Sequence, residues 1–114
     1  MNDILERKSY KDGNIIFREG QAGSAAYILQ SGNVVITRKI DGEDRELAVI
    51  GPGSIFGEMA LIDDQPRMAT AKVSGSATIV TITKAMYSEK LKTSDPFIRA
   101  LLRILVETVR NSSK

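Results

Sequence analysis

A glycine–glutamate pair and a proline–arginine pair lie nine residues apart in the middle of this chain of 114 residues. Both belong to FGEMALIDDQPRMAT, residues 56–70. Backbone N–H groups at the start of a helical turn attract anions, and a glycine at position 57 lets a ligand approach them closely. Pro66 restricts the backbone before Arg67, and an arginine at the root of an apparent core strand needs an anionic partner. Together these features predict a phosphate site.

Glu58 fits a different part of such a ligand. Its carboxylate would repel a phosphate, but it can accept a hydrogen bond from a neutral hydroxyl, as acidic residues do with ribose in dinucleotide-binding folds. A phosphate beside a ribose hydroxyl belongs to a nucleotide. Asp63 and Asp64 are interpreted as loop solvation, although one of them could pair with Arg67 in the empty state. The competing interpretation is a buried turn EMALI, a surface loop DDQP and a solvated arginine.

Composition narrows the kinds of chemistry open to the chain. It contains no cysteine and no histidine, which excludes thiolate catalysis, a histidine base and metal sites built on either residue. The net charge of +2 is scattered rather than gathered on one basic face, so nucleic-acid binding by this chain is not expected. No apolar run approaches the ~18 residues of a membrane span, and the first residues do not resemble a signal peptide. We expect a cytoplasmic, non-enzymatic domain without a cofactor or metal.

Short strands and two helices must position these residues. Nine glycines interrupt runs of β-branched and aromatic residues at a spacing typical of an antiparallel sandwich, barrel or roll. KAMYSEKLKTS predicts a short helix, and Asp95-Pro96 begins another as its N-cap and first residue. The second helix has an apolar stripe, formed by Ile98, Leu102, Leu105 and Val109. The chain is therefore expected to form a β-rich body over about residues 8–83 and helices over about residues 84–112.

Two segments carry a family resemblance that covers roughly residues 8–110. GPGSIFGEMALIDDQPRMATAKV, residues 51–73, closely resembles the phosphate-binding cassette of cyclic-nucleotide-binding domains, as in regulatory subunits of cAMP-dependent protein kinase and catabolite activator protein-like regulators. FREGQAGSAAYILQSGNVVI, residues 17–36, resembles the glycine-punctuated hairpin region ahead of that cassette. The resemblance implies a mainly β single domain over residues 1–114. This domain would be an eight-stranded antiparallel jelly-roll β-roll with a short N-terminal helix, a cassette helix and two C-terminal helices.

The resemblance also implies the ligand contacts. Glu58 would accept from the ribose 2′-hydroxyl and Arg67 would pair with the cyclic phosphate. Backbone groups of the remaining cassette residues would line the same pocket, namely Gly57, Met59, Ala60, Met68 and Ala69. A residue of the last helix would cap the base, the candidates being Leu102, Arg103 and Val106. Met68 lacks the hydroxyl that cGMP-preferring domains often carry after the arginine, which favours cAMP while leaving cGMP open.

The sequence thus predicts a cyclic-nucleotide sensor whose C-terminal helices move toward the bound base and pass the signal to an unidentified effector. Two alternatives stay open: a roll that no longer binds ligand and serves as an interaction or dimerisation domain, and a fragment of a transcription regulator without its DNA-binding part. The apolar stripe of the last helix packs on the roll or forms a homodimer contact. The segment Arg18-Glu19-Gly20 is a turn with a surface ion pair or, as the resemblance implies, a support for the pocket.

Overall fold

The computed structural model describes residues 6–61, 65–93 and 95–112, with the side chains of residues 91, 106 and 109–112 outside the description. The chain folds as two compact units, Met1–Lys84 and Ala85–Lys114. The described strands are β1 Glu6–Tyr10, β2 Ile15–Phe17, β3 Ala25–Ile40, β4 Glu43–Ile50, β5 Ile55–Phe56 and β6 Thr70–Thr83. The helices are a 3₁₀-helix Glu58–Leu61, α1 Lys84–Lys92 and α2 Pro96–Ser112.

All the described strands pair antiparallel in one sheet, in the order β1-β6-β3-β4, with β2 paired to β6 and β5 paired to β3. The long strands β3 and β6 form its centre, in register from Ala25 opposite Thr83 to Thr37 opposite Thr70. A two-residue turn joins β3 to β4, because Asp41 and Gly42 both take the positive φ that such tight hairpins require. The prediction of a mainly β, antiparallel fold with two C-terminal helices is confirmed.

The number of strands differs from the expected eight, since the described residues contain six. The difference comes from β3 and β6, which each continue through an irregularity instead of ending there. The β3–β6 register shifts on both sides of Ser31, and Gly32 and Gly75 within the two strands have φ near +89° and +82°. A side chain at Gly32 would overlap the backbone of Ser76, so only glycine allows the strands to approach at this bend.

Two more helices were expected, one at the N-terminus and one in the cassette. The predicted N-terminal helix covers MNDILER, residues 1–7; residues 1–5 lie outside the described residues, and residues 6 and 7 already belong to strand β1. The described part of the cassette helix is a 3₁₀-helix over Glu58–Leu61, and residues 62–64 after it lie outside the described part of the chain.

The core of the β unit consists of aliphatic residues from β3 and β6 with an aromatic cluster beside them. Its largest fully buried side chains are Leu29, Val34, Val73 and Ile79. The aromatic cluster is formed by Phe17, Tyr27 and Phe56, whose ring centroids lie 5.5–6.2 Å apart. Aromatic pairs at this spacing add about 0.5–1.5 kcal/mol each beyond the area that they bury. The cluster therefore forms a well-packed apolar surface for any side chain that lies against it.

Helix α2 begins as the sequence predicted. The Phe97 N–H donates to the Asp95 side chain at 2.8 Å and the Arg99 N–H donates to the Asp95 carbonyl at 3.0 Å, which makes Asp95 the N-cap. The helix exposes several large apolar side chains, namely Phe97, Ile98, Leu101, Ile104 and Leu105. In the part of the chain that is described, neither helix has the length and apolar character needed to cross a membrane.

Candidate functional site

The backbone of Arg67 is fastened to the turn that follows β2. The Gly20 N–H donates to the Arg67 carbonyl at 2.7 Å, and the Arg67 N–H donates to the Gln21 carbonyl at 2.9 Å. The turn is closed by the Gln21 N–H, which donates to the Arg18 carbonyl at 3.1 Å. Gly20 adopts a φ of +84°, a conformation that favours glycine. The turn therefore holds the cassette arginine in place.

The Arg67 side chain points inward and is 8% exposed, the only charged side chain among the described residues that is buried. Its Nη1 donates to the Gly57 carbonyl at 3.1 Å and its Nη2 donates to the Ala25 carbonyl at 2.8 Å. The face of the guanidinium lies over the Phe17 ring, with Cζ 4.1 Å from the ring centroid. Its Nε is buried and has no hydrogen-bond partner among the described residues. The N–H at Nε is thus a donor that a group from outside the described residues can use.

Two glycines make the space in which the guanidinium lies. A Cβ on Gly23 would overlap Nε of Arg67 and lie 2.5 Å from Cζ. A Cβ on Gly57 would lie 2.8 Å from Nη1 and 3.1 Å from the Phe17 ring. Gly57 also has a φ of +70°, so a side chain there would be strained as well as crowded. Both positions must stay without a side chain for Arg67 to occupy its buried place.

The charge of Arg67 is not balanced by the part of the chain that is described. No carboxylate of residues 6–61, 65–93 or 95–112 pairs with it, whereas the Glu19 carboxylate pairs with the exposed Arg38 at 3.9 Å. The expected pairing with Asp63 or Asp64 falls outside the described residues. Burial lowers the pKa of the Arg67 guanidinium because desolvation disfavours the charged form, and Tyr27 partly opposes this. A buried cation is costly unless an anion balances its charge, so the arrangement is suited to receive an anion.

Glu58 occupies the first position of the 3₁₀-helix and is exposed. Its carboxylate makes no hydrogen bond or ion pair to any other described residue, so its oxygens can accept from a ligand. Gly57, directly before it, accepts both from Arg67 and from the Ala60 N–H at 3.3 Å. The glycine of the first predicted pair and the arginine of the second are therefore in direct contact.

The other predicted site residues differ in their surroundings. Ala60 is buried, Met59 and Ala69 are partly buried, and Met68 is 61% exposed. The cap candidates lie in α2, within the second compact unit: Leu102 is partly buried and Arg103 is exposed. The side chain of Val106 lies outside the described set. Their role as a cap stays a prediction.

Sequence reasoning assigned no site role to four residues around the guanidinium, namely Phe17, Gly23, Ala25 and Tyr27. Ala25 acts through its carbonyl, which leaves no trace in the choice of side chain. A signal did exist for Gly23, because a second glycine three residues after Gly20 in one short loop is typical of close approach by another group. Among the described residues, no group of three or more acidic residues could hold a metal ion.

Comparison with known proteins identifies the family of this chain. The family model described as "Cyclic nucleotide-binding domain" matches residues 7–94, which include both the arginine and the groups that hold it. The chain belongs to the cyclic nucleotide-binding domain family. Its fold and its cassette are therefore those of a family of regulatory binding domains.

Relatives of this cyclic nucleotide-binding domain include a cAMP-dependent protein kinase regulatory subunit from Blastocladiella emersonii, 34% identical over 78% of this chain and 22% of that protein. The Cyclic AMP receptor protein of Thermus thermophilus is 31% identical over 95% of this chain and 50% of that protein. Among solved structures, the halfsite-occupied form of the EAL enzyme Bd1971 is 35% identical with a TM-score of 0.86, covering 97% of this chain and all of that one. The chain spans half the length of the receptor protein and about a fifth of the kinase subunit.

Proposed function

We propose that this chain is a sensor module that binds cAMP and changes the arrangement of its C-terminal helices in response. The observation that carries the proposal is the buried Arg67, whose Nε lacks a partner and whose charge is unbalanced among the described residues. A cyclic phosphate supplies both an acceptor for that donor and the missing negative charge. The names of the relatives support the ligand class, since two of them are a cAMP-dependent kinase subunit and a cyclic AMP receptor.

The rest of the nucleotide would be held by the cassette. Glu58 accepts from the ribose 2′-hydroxyl, and backbone groups of five neighbours line the pocket, namely Gly57, Met59, Ala60, Met68 and Ala69. Met68 offers no hydroxyl to a guanine, which favours cAMP over cGMP. The EAL enzyme Bd1971 has cAMP-bound and cGMP-bound forms, so both nucleotides belong in the test.

Signal transfer would use the second compact unit. In this proposal the bound base is capped from α2 by Leu102, Arg103 or Val106, and the ligand shifts an equilibrium between two helix positions. It can do so only through its different affinity for the two states. The sheet acts as the family's jelly-roll, with β3 and β6 each serving as two strands bent at their glycines. The module works in the cytoplasm as one domain over residues 1–114, without catalysis of its own.

The decisive experiment is calorimetric titration of cAMP into the wild type and site variants. Arg67→Ala should lose about 2–5 kcal/mol of binding free energy, the range for removing one partner of a desolvated charge pair. Arg67→Lys should also lose affinity, because an ammonium cannot reproduce the planar fork. Arg45→Ala is the matched control, since Arg45 is an exposed arginine on β4. An Arg67→Ala variant that binds as tightly as the wild type would refute the proposal.

The role of Glu58 has its own test with an altered ligand. Glu58→Gln should weaken cAMP binding by about 1.5–3 kcal/mol, the net value of a hydrogen bond to a charged group. The same substitution should have little effect on 2′-deoxy-cAMP, which lacks the hydroxyl. Equal losses with the two ligands would contradict the assignment.

Thermal unfolding separates the sensor from a roll that no longer binds ligand. A ligand at 100 times its dissociation constant adds about 2.7 kcal/mol to the free energy of unfolding. Stabilisation by cAMP or cGMP supports the sensor. No stabilisation by either would instead favour an interaction or dimerisation domain. A fragment of a transcription regulator would still bind the nucleotide, and only the longer protein would bind DNA.

A further inference from the structure

We infer that Phe17 is a positioning residue of the anion site, whose ring face holds the Arg67 guanidinium. The inference deepens the proposed function and rests on it for its ligand. Phe17 lies outside the cassette, 50 residues before the arginine that it contacts.

The contact has the geometry of a strong cation–π pair. The Arg67 Cζ lies 4.1 Å from the Phe17 ring centroid, well inside the ~6 Å within which a ring attracts a cation. Both side chains are 8% exposed, so water screens the attraction only weakly. The Tyr27 ring lies farther from the same Cζ, at 5.8 Å. Phe17 is therefore the main aromatic contact of the guanidinium.

The position of the Phe17 ring is itself fixed. Tyr27 stacks on it with centroids 5.9 Å apart, and Phe56 lies at 6.2 Å. On another side, a Cβ at Gly57 would already be 3.1 Å from the ring, which shows how closely the cassette backbone approaches. Such packing leaves the ring little freedom to follow a moving arginine.

The groups that hold the guanidinium contact different parts of it. The carbonyls of Gly57 and Ala25 accept from Nη1 and Nη2 and fix its edge, while Phe17 fixes its face. All of these groups are uncharged, so none of them competes with an incoming phosphate as a carboxylate would. The ring therefore prepares the arginine in the ligand-free chain and lowers the entropy cost of binding.

The inference is tested by replacing Phe17 with mono-, di- and trifluorinated phenylalanine. Fluorine withdraws electron density from the ring face and weakens its attraction for a cation, while the size of the ring changes little. The dissociation constant for cAMP should rise stepwise, reaching about 5- to 30-fold, which spans cation–π pairs from exposed to desolvated sites. Phe56 is the matched control, because it belongs to the same aromatic cluster and its ring makes no cation–π contact with Arg67. The same series at position 56 should change the constant less than twofold.

A flat response at position 17, or equal responses at 17 and 56, overturns the inference. If the wild type binds no cyclic nucleotide, the proposed function fails separately, and the series is then followed in the free energy of unfolding without ligand. There, fluorination at position 17 should destabilise the chain more than fluorination at position 56. The excess should vanish in an Arg67→Met background, where no cation remains over the ring. An excess that persists without the arginine overturns the inference as well.

Discussion

Gly23→Ala is expected to weaken ligand binding strongly while leaving the fold nearly intact. The added methyl group would overlap Nε of Arg67 and lie within 2.6 Å of Cζ and Nη2. Gly23 is not among the glycines with positive φ, so its backbone accepts alanine without strain. The atoms in conflict are the far end of a flexible side chain, and the arginine can leave its place for solvent. The substitution therefore displaces the guanidinium instead of unfolding the sheet.

The magnitude follows from what the displaced side chain gives up. Arg67 would exchange its bonds to the Gly57 and Ala25 carbonyls for bonds to water. Its recovered hydration offsets much of this loss, so the free energy of unfolding should change by about 1 kcal/mol. The ligand loses a prepared cation, and cAMP affinity should fall about 30- to 1,000-fold.

Calorimetry and urea unfolding measure the two quantities on the same protein. Gly51→Ala is the matched control, since Gly51 also lacks a positive φ and a Cβ there would meet nothing within 4 Å. In an Arg67→Ala background, Gly23→Ala should cause no further loss of affinity. Wild-type affinity in the single Gly23→Ala variant would refute the argument that the buried position of Arg67 is the one that binds.

Two further predictions concern pH and assembly. Burial raises the pKa of the Tyr27 phenol above its usual value, with Tyr10 adding to the rise and Arg67 opposing it, so the folded chain keeps a proton that the unfolded chain loses. Stability should be complete below about pH 10 and decline above it, and Tyr27→Phe should reduce that decline in urea unfolding at about pH 8 and pH 11; equal declines would contradict it. The exposed apolar side of α2 is proposed to form a homodimer, so Leu105→Glu should shift the chain to monomer in sedimentation velocity. Arg103→Glu, about 200° away around the helix, should not, and a wild-type monomer would refute the dimer.

The sequence predicted the elements whose signals are local. Antiparallel strands and the Asp95 cap of α2 follow from glycine positions, β-branched runs and capping chemistry, which act over a few residues. The described residues form six strands instead of the expected eight, because a register shift with a glycine at positive φ bends a strand without ending its pairing. Sequence patterns record the interruption but not whether pairing continues through it.

The candidate site was predictable to a similar depth. The spacing of Gly57 and Arg67 indicated an anion site, and the structure joins them by a hydrogen bond. Its other half depends on contacts between distant segments, since the carbonyl of Ala25 and the ring of Phe17 reach Arg67 only because β2 and β3 fold against it. Ala25 and Phe17 lie 42 and 50 positions before Arg67, and no local sequence pattern predicts contacts over such distances.

Arg67 and Met68 are consecutive, yet one is almost wholly enclosed and the other is 61% open to solvent. Any residue at position 67 must therefore fit two carbonyls, an aromatic ring and two glycines at once. A substitution at position 68 disturbs none of these contacts. In the proposed binding mode, substitution of Met68 can change the preference for one purine base over another, while Arg67 continues to bind the cyclic phosphate. Charge recognition and guest selection can then evolve separately, although a single peptide bond links them.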